Sequence, residues 1–185
     1  MEHKGTVRLE TERLILRRFT IDDAEAMFRN WCSDDEVTKF LMWTTHTDVE
    51  ETRETLKEWE ENYAKDDNYL WAITLKENGD EVLGSISAVE VDDKIDKIHI
   101  GYCLSRKYWH QGIMSEALAA LVRFFFEEVK ANRIESRHDP RNPNSGKVMM
   151  KCGLKFEGTL RQNDWNNQGI CDESVYGLLK SEWES

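Results

Sequence analysis

Tyr108-Trp109-His110-Gln111-Gly112-Ile113-Met114-Ser115-Glu116-Ala117 constrains this chain most: an extended segment ends there and an apolar helical run opens that continues through Val129. Gly112 supplies backbone freedom at the turn, and the first N–H groups of the helix have no intrahelical partners. With the positive end of the helix dipole behind them, those donors suit a phosphate-bearing ligand. A glycine before a helix also serves close packing alone, so the junction needs a second signal.

The rest of the chain alternates strand and helix patterns. Leu14 to Arg17 is a short opening strand, and Thr20-Ile21-Asp22-Asp23 caps a helical run through Trp31. A turn covers Asp34 to Phe40. Asp48 to Lys65 carries Val49, Thr52, Leu56, Trp59 and Tyr63 three and four apart, one inward stripe of a helix. Extended runs at Tyr69 to Lys76, Val82 to Val91 and Lys94 to Ser105, divided by turns at Asn78-Gly79-Asp80 and Asp92-Asp93, make an antiparallel meander. After the helix from Met114 to Val129 come a crossover strand, Arg133 to His138, and a short helix after Pro143. Two closing strands, Lys155 to Trp165 and Ile170 to Leu179, flank the turn at residues 166–169.

With 185 residues and 39% hydrophobic content, the chain has the size of one domain, residues 1–185. No apolar run approaches the ~20 residues of a membrane span, and Met1-Glu2-His3-Lys4 lacks a signal-peptide stretch, which favours the cytoplasm. Against 25 Lys and Arg stand 36 Asp and Glu, a net charge of −11. That balance opposes broad contact with nucleic-acid phosphates or anionic membranes; it suits a cationic acceptor and equally serves solubility. Cys32, Cys103, Cys152 and Cys171 lack Cys-x-x-Cys spacing and read as reduced packing residues rather than a disulfide frame or a metal site.

The second signal is Arg141-Asn142-Pro143-Asn144-Ser145-Gly146-Lys147-Val148-Met149-Met150-Lys151-Cys152-Gly153-Leu154, an Asn-x-x-Ser pattern that caps a short helix ended by glycine. Together the two segments resemble the Gcn5-related N-acetyltransferases (GNAT), and within them the branch that acetylates ribosomal protein N-termini. The resemblance runs from Leu9-Glu10-Thr11-Glu12-Arg13-Leu14-Ile15-Leu16-Arg17 to Tyr176-Gly177-Leu178. It implies an α/β GNAT fold: a mixed, mostly antiparallel sheet of about seven strands flanked by helices. The sheet would splay between the fourth strand, Lys94 to Ser105, and the fifth, Arg133 to His138, with acetyl-coenzyme A in the gap. Parted strands leave backbone groups open, and pantetheine amides complete that ladder.

By this resemblance Tyr102, Cys103 and Leu104 lie beside the thioester, where a backbone N–H stabilises the oxyanion, while their side chains read equally as core. Trp109 and His110 lead into the cradle, and Gln111, Gly112, Ile113, Met114 and Ser115 offer N–H groups to the pyrophosphate. Trp109 stands where the wider family has Arg or Gln, a mark of the ribosomal branch. Met114 replaces a small residue and is expected to narrow the cradle. Lys107 and Lys147 are candidates for the nucleotide phosphates, with solvated surface lysine as the alternative.

A thioester meeting a neutral amine needs proximity, a proton sink for the amine and help for the departing thiolate. Many relatives protonate the thiolate with a tyrosine that aligns here with Met149, which has no proton to give. The branch alternative is a serine, matched by Ser145, and Asn142 matches an asparagine that binds pantetheine or an ordered water; both residues also read as helix caps. For the base, His99 precedes Ile100-Gly101-Tyr102 where the branch has Glu, and Glu90 is the second candidate. An N-terminal amine, with reference pKa near 7.7 to 8.0, needs less base than lysine. His138-Asp139 has no serine or cysteine elbow and reads as loop structure. Trp43 and Trp165 are open to acceptor contact, Trp71 to core support.

The sequence thus predicts acetyl transfer from acetyl-coenzyme A to a primary amine such as a ribosomal protein N-terminus, by direct attack in a ternary complex without a metal. A polyamine or amino sugar is the rival acceptor, a non-catalytic acyl-coenzyme A sensor the rival class, and a homodimer fits either.

Overall fold

The structure, a computed structural model, describes residues 1–183, so the last two residues of the expected domain lie outside it. It contains β1 (Leu9–Glu10), β2 (Leu14–Arg17), α1 (Ala24–Met27, continued by a π-helical turn over Phe28–Cys32), α2 (Asp35–Thr38) and α3 (Val49–Asn62). Next come β3 (Leu70–Leu75), β4 (Val82–Asp92), β5 (Lys97–Leu104), α4 (Ile113–Glu127) and β6 (Arg133–His138). The chain closes with α5 (Pro143–Lys151), β7 (Lys155–Asn166), β8 (Gly169–Leu179) and α6 (Lys180–Trp183). The eight strands form one mixed sheet in the order β1-β2-β3-β4-β5-β6-β8-β7, one strand more than the sequence pattern gives. The addition is β1, which pairs Leu9 and Glu10 with Leu16 and Ile15. Two residues are too few to show a period of two, so this strand was silent in the sequence.

Both sheet faces are covered, each for a reason visible in the side chains. α4 buries Ile113, Met114, Ala117, Leu118, Leu121, Val122 and the run Phe124-Phe125-Phe126. Tyr69, just before β3, and Trp71 within it meet Phe124 and Phe125 edge-on, with centroids 5.0 to 6.2 Å apart. At roughly 1.5–3 kcal/mol for each large apolar side chain buried, this layer dominates the stability of that face. On the other face α3 presents the expected stripe: Thr52 and Leu56 are buried, and Tyr63 Oη donates to Leu70 O at 3.0 Å while accepting the Phe19 N–H at 2.9 Å. The four cysteines are free thiols, and burial pushes each of them up, Cys152 and Cys171 to about 11.

What positions the site is the join of β5 and β6. They run parallel and pair only at Lys97↔Arg133, Ile98↔Ile134 and His99↔Glu135, then part. Ser136 Oγ donates to Ile100 O at 2.7 Å, so a side chain takes the place of the next backbone rung. At the far end Trp109 Nε1 donates to Leu104 O at 2.8 Å. Because Ser105 N bonds to Leu83 O, odd residues of β5 turn their backbone toward β4 and even residues toward the gap. Tyr102 therefore offers both its N–H and its C=O to the gap, and Leu104 its N–H.

Candidate active site

A cleft of about 910 Å³ runs through this gap, from Trp43 and Trp59 on the α3 face, past Gly101 and Cys103, to Gly112 and Ser145 on the α4 face. Of the residues assigned in the sequence to catalysis or to the coenzyme, all line it except Glu90, Lys107 and Gln111. Lys107 stands apart, its Nζ 5.4 Å from the Tyr108 ring centroid.

At the α4 end the chain turns through two left-handed residues, His110 (φ 61°) and Gly112 (φ 76°). Histidine tolerates that region better than most side chains, and glycine adopts it freely. Gly112 is the N-cap and no side chain caps the helix, so the N–H groups of Ile113, Met114 and Ser115 stay open toward the cleft. Met114 is 5% exposed and packs against the core, and it also lines the cleft beside Gly112. Gln111 serves structurally, donating from Nε2 to Lys107 O at 3.0 Å while its own carbonyl accepts Arg13 Nη1 at 2.9 Å.

Helix α5 roofs the gap. Asn142 is its N-cap residue, yet the Asn142 side chain makes no capping hydrogen bond, contrary to the capping expectation. Ser145 does not cap either. Its Oγ donates to Tyr102 Oη at 3.2 Å, and Tyr102 Oη donates to Ser145 O at 2.9 Å. A strand hydroxyl and a helix hydroxyl are thus paired at the mouth of the gap, and burial pushes the Tyr102 phenol well above its ordinary value. Sequence reasoning placed Tyr102 near the thioester for its backbone and had no signal for its hydroxyl. Met149, which the family resemblance aligns with a tyrosine, is fully buried in the core.

Gly146 sets how closely α5 sits. A Cβ there would stand 2.6 Å from His138 Nε2 and 2.8 Å from Tyr176 Oη. Gly146→Ala is expected to push α5 off the sheet and cost about 1–3 kcal/mol, offset in part by better helix propensity. Thermal denaturation should register a fall of about 2–8 °C, and an unchanged midpoint would contradict the close approach.

On the α3 face, His99 is pushed down to about 4, first by burial and then by the Arg137 guanidinium. Arg137 is itself held by Glu135, 2.7 Å from its Nε, and by Glu173 at 3.3 Å. Glu90 sits behind His99, its carboxylate 3.9 Å from Nδ1 and 3.0 Å from Lys97 Nζ. The depressed folded pKa has a consequence for stability. Above the unfolded value near 6.5 both states are neutral; as pH falls toward 4 the unfolded chain takes up a proton that the folded chain refuses. Stability is therefore lost between about pH 6.5 and pH 4. His99→Gln should remove on the order of 3 kcal/mol of that loss in denaturant titrations at pH 7 and pH 4. Parallel curves for wild type and variant would contradict the burial argument.

The rim is built at long range. The β7–β8 turn reaches the loop after α2, where Asn167 Nδ2 donates to Thr38 O and Trp43 O, each at 2.8 Å. This fixes the rim of the cleft, which Trp43 and the exposed Trp165 line. Asp139 braces the floor. Burial opposes its ionisation, but Arg141 and the Asn166 amide outweigh that and hold its carboxyl well below the usual range. Its carboxylate is held by Arg141 in the same loop and by Asn166 at the end of β7. Among the described residues no helix is long and apolar enough to cross a membrane, and no group of three or more His, Cys, Asp or Glu could hold a metal ion.

Known proteins resemble this arrangement over nearly its whole length. Residues 13–155 match the family model described as an acetyltransferase (GNAT) domain. An uncharacterized N-acetyltransferase, p20, of Bacillus licheniformis is 33% identical over 175 residues, 95% of this chain and 97% of the relative. The ribosomal-protein-serine acetyltransferase of Escherichia coli is 30% identical over 100 residues, 54% of this chain and 56% of that protein. The crystal structure of a GNAT-family acetyltransferase from Bacillus anthracis superposes with a TM-score of 0.83 at 27% identity, covering 95% of this chain and all of the other.

Proposed function

This chain belongs to the GNAT acetyltransferase family, and on that premise we propose that it acetylates the N-terminal amine of a protein with acetyl-coenzyme A as donor, a protein acceptor being supported by the name of its Escherichia coli relative, a ribosomal-protein-serine acetyltransferase. The carrying observation is the open ladder: Tyr102 N–H and C=O and Leu104 N–H face a gap whose other rungs are closed by Ser136 and Trp109. Amide groups of a pantetheine arm pair with such an edge, and the open N–H groups of Ile113, Met114 and Ser115 suit its pyrophosphate. Gln111 turns that loop, and Lys147, at the cleft wall, is assigned to the nucleotide phosphates. The co-substrate supplies an acetyl group as a reactive thioester.

The remaining work falls to residues of the chain. Tyr102, Cys103 and Leu104 fix the arm, and the Leu104 N–H is a donor for a developing oxyanion. Asn142, with its side chain free of capping duty, binds the arm or a water. Ser145, backed by Tyr102 Oη, delivers a proton to the departing thiolate. His99, neutral near pH 7, receives the amine proton and, with so low a pKa, passes it on to solvent rather than holding it; Glu90 steadies the imidazole. Because an α-amine keeps a far larger neutral fraction near pH 7 than a lysine side chain, so weak a base suffices, which favours an N-terminus as acceptor.

The test is mass spectrometry of an acceptor panel: N-terminal peptides of ribosomal proteins beside polyamines and amino sugars, with acetyl-coenzyme A. Acetylation of peptide N-termini is expected. Acetylation of polyamines or amino sugars alone would replace the acceptor, and coenzyme binding without acceptor-dependent thiol release would leave a sensor.

A further inference from the structure

Two cations from opposite ends of the chain converge on Gly112. A Cβ built on that glycine would lie 3.4 Å from Arg13 Nη2 and 3.8 Å from Lys151 Nζ. Arg13 is held rigidly. Its backbone N–H donates to Glu116 Oε1 at 2.8 Å, its Nε to Glu116 Oε2 at 2.6 Å and its Nη1 to Gln111 O at 2.9 Å, while Thr11 Oγ1 braces the same carboxylate at 2.5 Å. Its hydrogen bonds engage Nε and Nη1, and Nη2 is the nitrogen turned to the cradle. Lys151 reaches the same point from the last turn of α5 and lines the cleft, with no ion pair among the described residues. Bringing two like charges together at an uncapped helix N-terminus costs energy unless an anion sits between them.

We propose that Arg13 and Lys151 form a two-cation clamp on the diphosphate of the acyl carrier, and that the clamp makes a diphosphate, rather than a single phosphoryl group, a condition of tight binding. The inference rests on the acetyl-coenzyme A reading above. A diphosphate presents two anionic centres, enough to engage the α4 N–H groups and both cations at once; a lone phosphoryl group engages one part. The clamp also links the N-terminal strand to coenzyme recognition, since Glu116 fixes Arg13 across 103 residues of sequence.

Isothermal titration of wild type, Arg13→Met and Lys151→Met with coenzyme A, 3′-dephospho-coenzyme A and 4′-phosphopantetheine tests this. Each variant is expected to bind both diphosphate compounds about tenfold more weakly, and phosphopantetheine less than about threefold more weakly. Weakening of coenzyme A alone would mean that the cations read the 3′-phosphate, and equal weakening of all three would mean a general loosening; either overturns the clamp. So do unchanged affinities in variants of a wild type that binds. Wild-type protein that binds none of the three overturns the acetyl-coenzyme A reading itself. Lys151→Met breaks no ion pair among the described residues and carries the test should Arg13→Met fail to fold.

Discussion

Ser145→Ala is expected to lower kcat about a hundredfold while leaving coenzyme affinity nearly unchanged. The Ser145 hydroxyl is not needed to start α5, because it bonds to Tyr102 Oη at 3.2 Å rather than to the helix backbone. Its removal therefore takes away a proton source without unmaking the roof of the cleft. Tyr102→Phe should follow the same pattern, since the phenol is the partner that orients the serine. If the two hydroxyls act as one unit, the double variant will be little slower than the slower single one. Steady-state kinetics beside calorimetric affinities make the distinction. Unchanged kcat in Ser145→Ala would remove this residue from the acid role, and a parallel loss of affinity would make it a binding residue.

Gly112→Glu is expected to abolish measurable coenzyme binding, a loss of at least about a thousandfold, or about 4 kcal/mol. Three effects add. A side chain at φ 76° costs about 1–2 kcal/mol of backbone strain. The new carboxylate would repel a phosphate group, and it would stand within reach of Arg13 and Lys151, drawing both cations away from any ligand. Gly112→Ala isolates the backbone part and should lose no more than about tenfold. Ordinary affinity of Gly112→Glu in calorimetry would refute the placement of the phosphates at α4.

Much of this fold was legible because local chemistry and the global arrangement agree. The β3 to β5 meander, the α4 crossover and the parallel β6 follow from apolar periodicity interrupted by turn residues. The turn that opens α4 was legible for the same reason: Gly112 before an apolar run is a local signal. What stayed hidden was set by contacts between residues distant in sequence. Nothing near Ser136 announces that its hydroxyl closes a rung of β5, and nothing near Arg13 announces a partner at Glu116. Asn142 and Ser145 carry a capping pattern that the structure does not use, since Tyr102, 43 residues upstream, competes for the serine. His99 is recognisable as a strand histidine, but its depressed pKa comes first from burial and then from Arg137, 38 positions away in another strand.

A crystal structure of the protein with acetyl-coenzyme A bound tests the central claim most directly. The account predicts a pantetheine arm between Tyr102 to Leu104 and the start of α5, with its amides on the Tyr102 backbone, its sulfur within reach of the Ser145 and Tyr102 hydroxyls, and its diphosphate against residues 112–115. Coenzyme bound elsewhere, with β5 and β6 drawn together over the gap, would contradict it.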